Sequence, residues 1–403
     1  MKIVFLTQYY PPEIGAPQNR LSELAMRFAR RGHDVVVLTA MPNYPKGEIY
    51  PGYGGLYRKE TRDGVKVIRT FIYPTQKVDY LHRLANYFSF VLSSALLGSF
   101  LLPRADYLLV ESPPLFLGTS GFWLSRLKGA RLIFNVSDLW PESATRLGIL
   151  RPDGMAYRLS AWLEGFCYRR AWLISGQSKG ILSSITDRFP SSLTYHLSNG
   201  VDSTRFGPQE RKQATHDNMS RNGEVVALYA GLHGLAQGLD QVLDAAGRLR
   251  DSQGYRFVLI GDGPEKRALM QRARKEQLAS VSFLDPVSSA EMPALVASAD
   301  IVLVILKTYI PGAVPSKLYE AMASGRPVVL VAEGEAAQIV QENNAGLVVK
   351  PGDVDGLAKA IRRLCENSLL REELGQNGRR AAERTYDRTM IANRFVDYLE
   401  VEA

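Results

Sequence analysis

The chain has 403 residues, 46% of them hydrophobic and 22% charged, with a formal net charge of +8. That length should hold two globular domains, each large enough for its own core. The two cysteines, Cys167 and Cys365, lie far apart, which excludes a disulfide framework and fits a reducing compartment. The five histidines (His33, His82, His196, His216, His233) are scattered without ligand spacing, so no metal site is expected. Up to Arg205 there are 25 Lys+Arg against 15 Asp+Glu; beyond it, 24 against 26. The basic first half should favour an anionic partner such as a phosphorylated lipid or a membrane surface. No nucleic-acid motif accompanies the charge, which argues against nucleic acid. Met1 to Leu6 reads at once as a strand, without a secretory leader, so a cytoplasmic location is expected.

In chain order, residues 2–8 read as a buried strand. The loop Tyr9-Tyr-Pro-Pro-Glu-Ile-Gly-Ala-Pro follows, then a helix from Asn19 to Arg31 and a strand at Val35 to Thr39. This is a βαβ unit. Gly15 sits where doubly wound folds bind ligands, although it could serve the turn alone. The spacing is not G-x-G-x-x-G, which argues against a dinucleotide enzyme. Met41 to Tyr53, with Asn43 and Tyr44, reads as a recognition loop. Val65 to Ile72 is a strand.

Leu81 to Leu102 is apolar and aromatic but interrupted by Asn86 and by serines at 89, 93, 94 and 99. It falls short of a convincing membrane span. A mainly buried helix and a helix leaning on a bilayer both remain open, the first preferred. Strands follow at Tyr107 to Glu111 and Arg131 to Val136. The second ends in Asn135-Val-Ser-Asp-Leu-Trp-Pro-Glu-Ser, which puts Ser137, Asp138 and Glu142 at the carboxyl edge of a central strand. Asp138 is a candidate for holding acceptor hydroxyls or handling a proton, or a simple N-cap. Residues 199–223 are polar and patternless and read as the linker region.

From Val225 strands and helices alternate strictly, with strands at 225–230, 256–261, 281–285, 301–306, 328–332 and 346–350. That pattern means a second parallel sheet with helices on both faces. Ser288 and Glu291 have capping-box spacing. Two Gly-rich strand-to-helix turns stand out, Gly231-Leu-His-Gly-Leu-Ala-Gln-Gly238 and Gly261-Asp-Gly-Pro-Glu265. A third turn, Gly312 to Lys317, leads into a helix expected to have Ser316 as N-cap, with Lys317 and Glu320 on one face. Free N–H groups, the positive helix end and the Lys317 charge all suit an anion, although a solvated Lys317 paired with Glu320 would read the same. Three such loops on one sheet point to a nucleotide-sized anionic ligand.

Gly261-Asp-Gly-Pro and Pro315-Ser-Lys-Leu-Tyr-Glu-Ala-Met-Ala-Ser-Gly-Arg-Pro-Val-Val resemble the family-four retaining glycosyltransferases. Tyr9-Tyr-Pro-Pro-Glu-Ile-Gly-Ala, the Met41-Pro-Asn-Tyr-Pro-Lys-Gly loop and Asp138-Leu-Trp-Pro-Glu-Ser are similar to a bacterial branch that builds surface polysaccharides such as O-antigen and capsule. The resemblance implies an α/β GT-B fold, two doubly wound Rossmann-like domains facing each other across a cleft. It implies an acceptor domain over 1–199, a donor domain over 200–385 and a C-terminal helix at 386–403 that packs back on the first. It also implies site roles. The Gly15 backbone approaches the donor diphosphate. Gly261, Asp262 and Gly263 border the nucleobase with Leu284 and Pro286. Ser316 and Leu318 offer N–H groups to the diphosphate, Lys317 neutralises it and Glu320 takes the ribose hydroxyls. Asp138 lies on the acceptor side, with Asn43, Tyr44, Ser137 and Glu142.

Two departures matter. Gly312 stands where the family often has a glutamate, and Gln237 where a lysine is expected, so His233 is a candidate second cation. The expected activity is glycosyl transfer from a UDP-sugar, of N-acetylated hexosamine or 6-deoxy type, to a polyprenyl-diphosphate-linked acceptor at the inner membrane face. No cofactor is expected. The alternatives are a GT-B-type nucleotide-sugar epimerase or hydrolase, and a non-catalytic nucleotide-sugar binding protein.

Overall fold

The computed structural model describes all residues except Ile14, Val78, Asp79, Leu147, Ile149, Asn222 and Ala403, and all other side chains except those of Ala16 and Tyr80. The chain divides into two compact units, Met1–Asn199 with Ile391–Ala403, and Gly200–Met390.

The first unit contains β1 (Lys2–Leu6), α1 (Ala16–Arg30), β2 (Asp34–Ala40), β3 (Tyr57–Arg62), β4 (Val65–Thr70), α2 (Tyr80–Leu101) and β5 (Tyr107–Ser112). It continues through α3 (Leu117–Lys128), β6 (Arg131–Val136), α4 (Glu142–Arg146), α5 (Met155–Arg170), β7 (Leu173–Gly176), α6 (Lys179–Arg188) and β8 (Thr194–His196). Its sheet runs β3-β4-β2-β1-β5-β6-β7-β8. All pairings are parallel except β3 with β4. The central strands are apolar throughout because both of their faces are covered, one core lying on each side of the sheet. Helix α1 starts at Ala16, three residues earlier than the sequence suggests. Gly15 is its N-cap, and proline is accepted in a first turn, where the missing N–H has no intrahelical partner.

Two readings need correction here, and one strand was not expected. Strand β3 is largely exposed and charged, so it lacks a strand's apolar alternation; such charge protects a sheet edge from further pairing. Helix α2 is not mainly buried: only 33% of its apolar window lies inside. The supposed linker is folded into the second unit. There Pro208–Glu210 forms a 3-10 turn and α7 (Gln213–Met219) buries His216 and Met219, while Val201 pairs with Asp387.

The second unit continues with β9 (Val225–Ala230), α8 (Asp240–Arg248), β10 (Tyr255–Ile260), α9 (Lys266–Lys275), β11 (Val281–Leu284), α10 (Met292–Ser298) and β12 (Ile301–Ile305). Then come α11 (Ser316–Ala323), β13 (Val328–Val331), α12 (Glu335–Glu342), β14 (Gly346–Val349), α13 (Val354–Glu366) and α14 (Ser368–Ala381). The sheet is parallel, ordered β11-β10-β9-β12-β13-β14, again with a core on each face. Of the Ser288 capping box, one half forms. The Glu291 carboxylate accepts from the Ser288 N–H at 3.0 Å, but the helix itself begins at Met292.

Helix α15 (Arg388–Glu402) contributes its residues from Ile391 onward to the first unit. Phe395, Val396 and Leu399 are fully buried in one core with Ile3, Phe5 and Phe28. The Tyr107 hydroxyl donates to the Leu399 carbonyl at 2.9 Å, and Arg31 pairs with Asp397 and Glu400. Apolar burial dominates this attachment, because the ion pairs are exposed and screened by solvent. Phe395→Ala should therefore cost the first unit about 3–5 kcal/mol, read as a lowered urea midpoint, while Asp397→Asn should leave that midpoint nearly unchanged.

Candidate active site

In both sheets the winding direction reverses next to the first strand, between β1 and β5 and between β9 and β12. Loops at the carboxyl ends of such strands form the crevice where doubly wound folds take ligands.

In the second unit Lys317 connects the two switch strands. It stands in the first turn of α11, after β12, and its Nζ donates to the Tyr229 hydroxyl on β9 at 2.8 Å. The same nitrogen lies 4.0 Å from the Tyr229 ring centroid. The Tyr229 hydroxyl donates its own hydrogen bond to the Leu232 carbonyl, 2.7 Å away, so it is fixed as an acceptor toward the lysine. Burial lowers the Lys317 pKa to about 8, against a smaller opposing pull from Glu320.

The glycines of the neighbouring turns follow from this packing. A Cβ on Gly231 would lie 2.3 Å from Lys317 Nζ. One on Gly261 would lie 1.9 Å from the Gly231 carbonyl oxygen, and one on Gly263 would lie 2.4 Å from that of His233. All three also hold φ values of +140° to +154°, where side chains are strained. The Asp262 carboxylate is exposed and accepts from the Gly263 N–H at 2.8 Å. Leu284 and Pro286 are exposed at the end of β11, beside the Lys266–Asp285 pair.

Several expectations change. Pro315, not Ser316, is the N-cap of α11, and no side chain caps it; Ser316 is already helical. The Leu318 N–H turns back to the Pro315 carbonyl at 3.0 Å, because the first turn closes on itself, so it is not a spare donor. Lys317 and Glu320 form no ion pair among the described contacts, since the amine is turned toward Tyr229. Glu320 is half-buried, and burial raises its carboxyl pKa against the pull of Arg388, Lys317 and Arg205. His233 fails as a second cation. It is 0% exposed, and burial, with Lys266 and Lys317 nearby, lowers its pKa and keeps it neutral.

In the first unit, Glu13 joins two loops that the sequence left separate. Its carboxylate accepts from the N–H groups of Asn43 and Tyr44, both at 2.8 Å, and of Tyr10 at 3.2 Å. Asn43 is buried, its amide donating to Met41 O, while Tyr44 is exposed. Gly15 leaves room for Gln18, whose Oε1 lies 2.3 Å from where a Cβ would sit.

A polar ladder crosses the adjoining strands, and the sequence reading missed it. Glu111, Asn135 and Ser175 stand side by side on β5, β6 and β7. Asn135 donates to Glu111 at 2.5 Å, and Ser175 donates to Asn135 at 2.7 Å. Arg20, from α1, pairs with Glu111 at 2.5 Å and donates to Ser137 Oγ at 2.9 Å. The signal for it was a glutamate ending an otherwise apolar strand. Asp138 stands outside this network and is not the N-cap of α4. It accepts from Ser143 Oγ at 2.9 Å, and burial raises its carboxyl pKa. Glu142 is committed to Arg146 at 2.9 Å.

A cavity of about 640 Å³ in the second unit, lined by Arg211, Asp300, Arg326 and Arg379 among others, lies at the amino ends of β12 and β13. That is the opposite edge from Lys317. Arg211, Arg326 and Arg379 donate there to backbone carbonyls, so they cap chain ends rather than wait for a ligand.

Two Rossmann-like units with ligand-type loops at both switch points define a GT-B protein. The glycosyl transferase 4-like domain model matches residues 15–197, and the glycosyl transferases group 1 model matches residues 210–381. The chain belongs to the group 1 glycosyl transferases. It is 27% identical over 98% of its length to WcaI of Escherichia coli K12, described as a colanic acid biosynthesis glycosyl transferase, and covers 99% of that protein. It is 30% identical over 66% of its length to a GDP-mannose-dependent phosphatidylinositol monomannoside mannosyltransferase of Mycobacterium tuberculosis, covering 76% of it. Anabaena Alr3699/HepE, solved in complex with UDP, superposes with a TM-score of 0.72 at 19% identity, with 100% of both chains covered.

The burial of Lys317 has a pH signature. Its folded pKa, about 8, lies below its unfolded value, so the unfolded state binds more protons between about pH 8 and 10.5. Lys317→Met should therefore stabilise the second unit by about 1–3 kcal/mol at pH 7. The gain should shrink as pH rises through that window, as read from paired denaturation curves at pH 7, 8.5 and 10.

Proposed function

We propose that this glycosyltransferase is a retaining enzyme of bacterial surface-polysaccharide synthesis, of the O-antigen or capsule kind. It moves an N-acetylated hexosamine or 6-deoxy sugar from a UDP-sugar to a polyprenyl-diphosphate-linked saccharide. The observation that carries the reading is the Lys317 amine, held over Tyr229 between the switch strands. Burial costs its charge about 3 kcal/mol, and an anion about 4 Å away at an effective dielectric of ~20 returns about 4 kcal/mol. A diphosphate therefore reverses the penalty, and the gain is larger when the leaving group carries its full charge.

In this reading the Ser316 N–H and the α11 end join Lys317 on the diphosphate, with the Gly15 backbone approaching it. Glu320 takes the ribose hydroxyls, and Gly261, Asp262 and Gly263 border the base. Asp138 sits on the acceptor side with Tyr44 and Ser137. The leaving-group oxygen serves as base on the same face, so neither a protein nucleophile nor a metal is needed. The relatives support the coarse activity: WcaI is named for colanic acid biosynthesis, and HepE was solved with UDP and with UDP-glucose. A GDP-sugar donor is the second reading, because the mycobacterial relative is named as GDP-mannose-dependent. The lipid acceptor would hold the enzyme at the inner face of the cytoplasmic membrane.

Thermal shift against UDP-, GDP-, ADP- and dTDP-sugars tests the donor, since a ligand of the native state raises the melting temperature. The expected outcome is a shift with a UDP-sugar alone; a shift with a GDP-sugar alone selects the second reading. Lys317→Ala should lower turnover about 100-fold with the fold intact. Binding without any turnover on lipid-linked acceptors would favour a non-catalytic binding protein.

A further inference from the structure

Helix α2 leaves much of its apolar surface outside. The face it turns inward carries Asn86, Ser93, Ser94 and Gly98 beside Phe90 and Val91, while Leu81, Phe88, Leu92, Leu96 and Phe100 are 42–86% exposed. These exposed positions recur every four or seven residues, so they form one stripe.

The stripe is one part of a wider surface. Helix α3 packs beside α2, where the Trp123 indole donates to Ser99 Oγ at 3.0 Å and Lys128 donates to the Ser99 carbonyl at 2.7 Å. It too turns small residues inward (Gly118, Ser120, Gly121, Ser125), beside Leu117 and Leu124, and leaves Trp123 and Leu127 exposed, at 56% and 49%. Helix α5 follows, its Phe166 stacked on Trp162 and edge-on to Phe122 of α3. Met155, Leu159 and Trp162 are 80%, 58% and 60% exposed. Three neighbouring helices thus present large apolar side chains to solvent on one layer, more than scattered surface leucines explain.

The charge on these helices has one sign. Arg83, Arg126, Arg158, Arg169 and Arg170 are exposed, and the one acid on the three helices, Glu164, is 2% exposed and bonded to Arg188. Two copies meeting face to face would oppose these arginines, because a two-fold interface pairs like with like. An anionic lipid surface complements them, with the apolar side chains entering the acyl boundary and indoles at headgroup depth. We propose that the α2–α3–α5 face docks on an anionic bilayer in the interfacial plane.

Although α2 has the length and hydropathy of a span, it is tied to the sheet by hydrogen bonds. Gln8 donates to Asn86 at 3.0 Å, Asn86 donates to the Tyr73 carbonyl at 2.7 Å, and Ser94 meets Ser120 at 2.9 Å. Inserting α2 across a bilayer would strand these groups in hydrocarbon. The surface gives the acceptor of the proposed reaction a location, and to that extent rests on that reading; docking itself is measured without turnover.

The test is flotation of the full chain with phosphatidylcholine vesicles, with or without 30% phosphatidylglycerol, alongside light scattering for oligomeric state. Binding is expected to anionic vesicles, about tenfold weaker in 0.5 M salt or on neutral vesicles, with a blue shift of tryptophan emission that Trp123→Phe/Trp162→Phe reduces. Leu96→Ser/Phe100→Ser should abolish flotation. Because both positions are exposed, its nucleotide thermal shift should match wild type, which separates lost docking from a failed fold or a wrong donor. Absence of binding to anionic vesicles overturns the proposal. So does equal binding to neutral vesicles, or a dimer that the same double substitution dissolves.

Discussion

A half-buried lysine at a topological switch point governs the second unit. Lys317 leaves α11, crosses from β12 to β9 and rests on the Tyr229 ring, its proton shared with the hydroxyl. Residue 231 must then lack a side chain, because the amine fills that space. Once Gly231 is bare, its carbonyl comes within contact of Gly261, and the His233 backbone within contact of Gly263. Three turns that look like separate glycine-rich motifs are one packed layer, each glycine required by the backbone or amine next to it. A buried charge without a carboxylate partner works against stability. It is tolerable where an anion is going to arrive.

The first unit handles its switch point differently. Arg20 leaves the helix after β1 and turns toward β5, the reverse of the Lys317 crossing, and there it finds Glu111. With Asn135, Ser175 and Ser137 the pair is saturated, so its charge is spent internally. Among the described contacts, the two switch points therefore hold a cation without a carboxylate in one unit and a neutralised one in the other. The asymmetry fits the proposal of a diphosphate on one unit.

Most of the architecture was legible because parallel strands covered on both faces are continuous apolar runs, and every strand of the second unit appears within a residue or two of its expected span. The misses have physical causes. Strand β3 is charged along an exposed edge, although the Asp63-Gly64 turn before β4, with φ of +50° and +81°, is a recognisable hairpin signal. The stretch 199–223 looks unstructured because its contacts are long-range: His216 and Arg211 bond to Asp300, far along the chain. At the site, residue identities were readable but atom directions were not. No periodicity tells that Lys317 faces Tyr229 rather than Glu320, that Leu318 spends its N–H on Pro315, or that His233 is sealed from solvent.

Helix α2 shows why a serine-interrupted apolar stretch resists a one-dimensional reading. Counting serines against a membrane role assumes that polar groups face water and apolar ones face the core. In α2 much of the assignment is reversed. Ser93 and Ser94 bond to Thr70 and Ser120 inside the unit, and Gly98 lets the helix approach Leu38 and Leu124. The small residues bring the helix close to the sheet, and apart from Phe90 and Val91 the large ones are left partly or fully outside. Only exposure distinguishes this from an ordinary core helix, because both have the same mean hydropathy and length. Once α3 and α5 are seen to leave large apolar side chains exposed as well, with arginines as the exposed charges, part of the basic excess of the first half acquires a location. It lies beside an apolar surface rather than around a nucleic-acid groove.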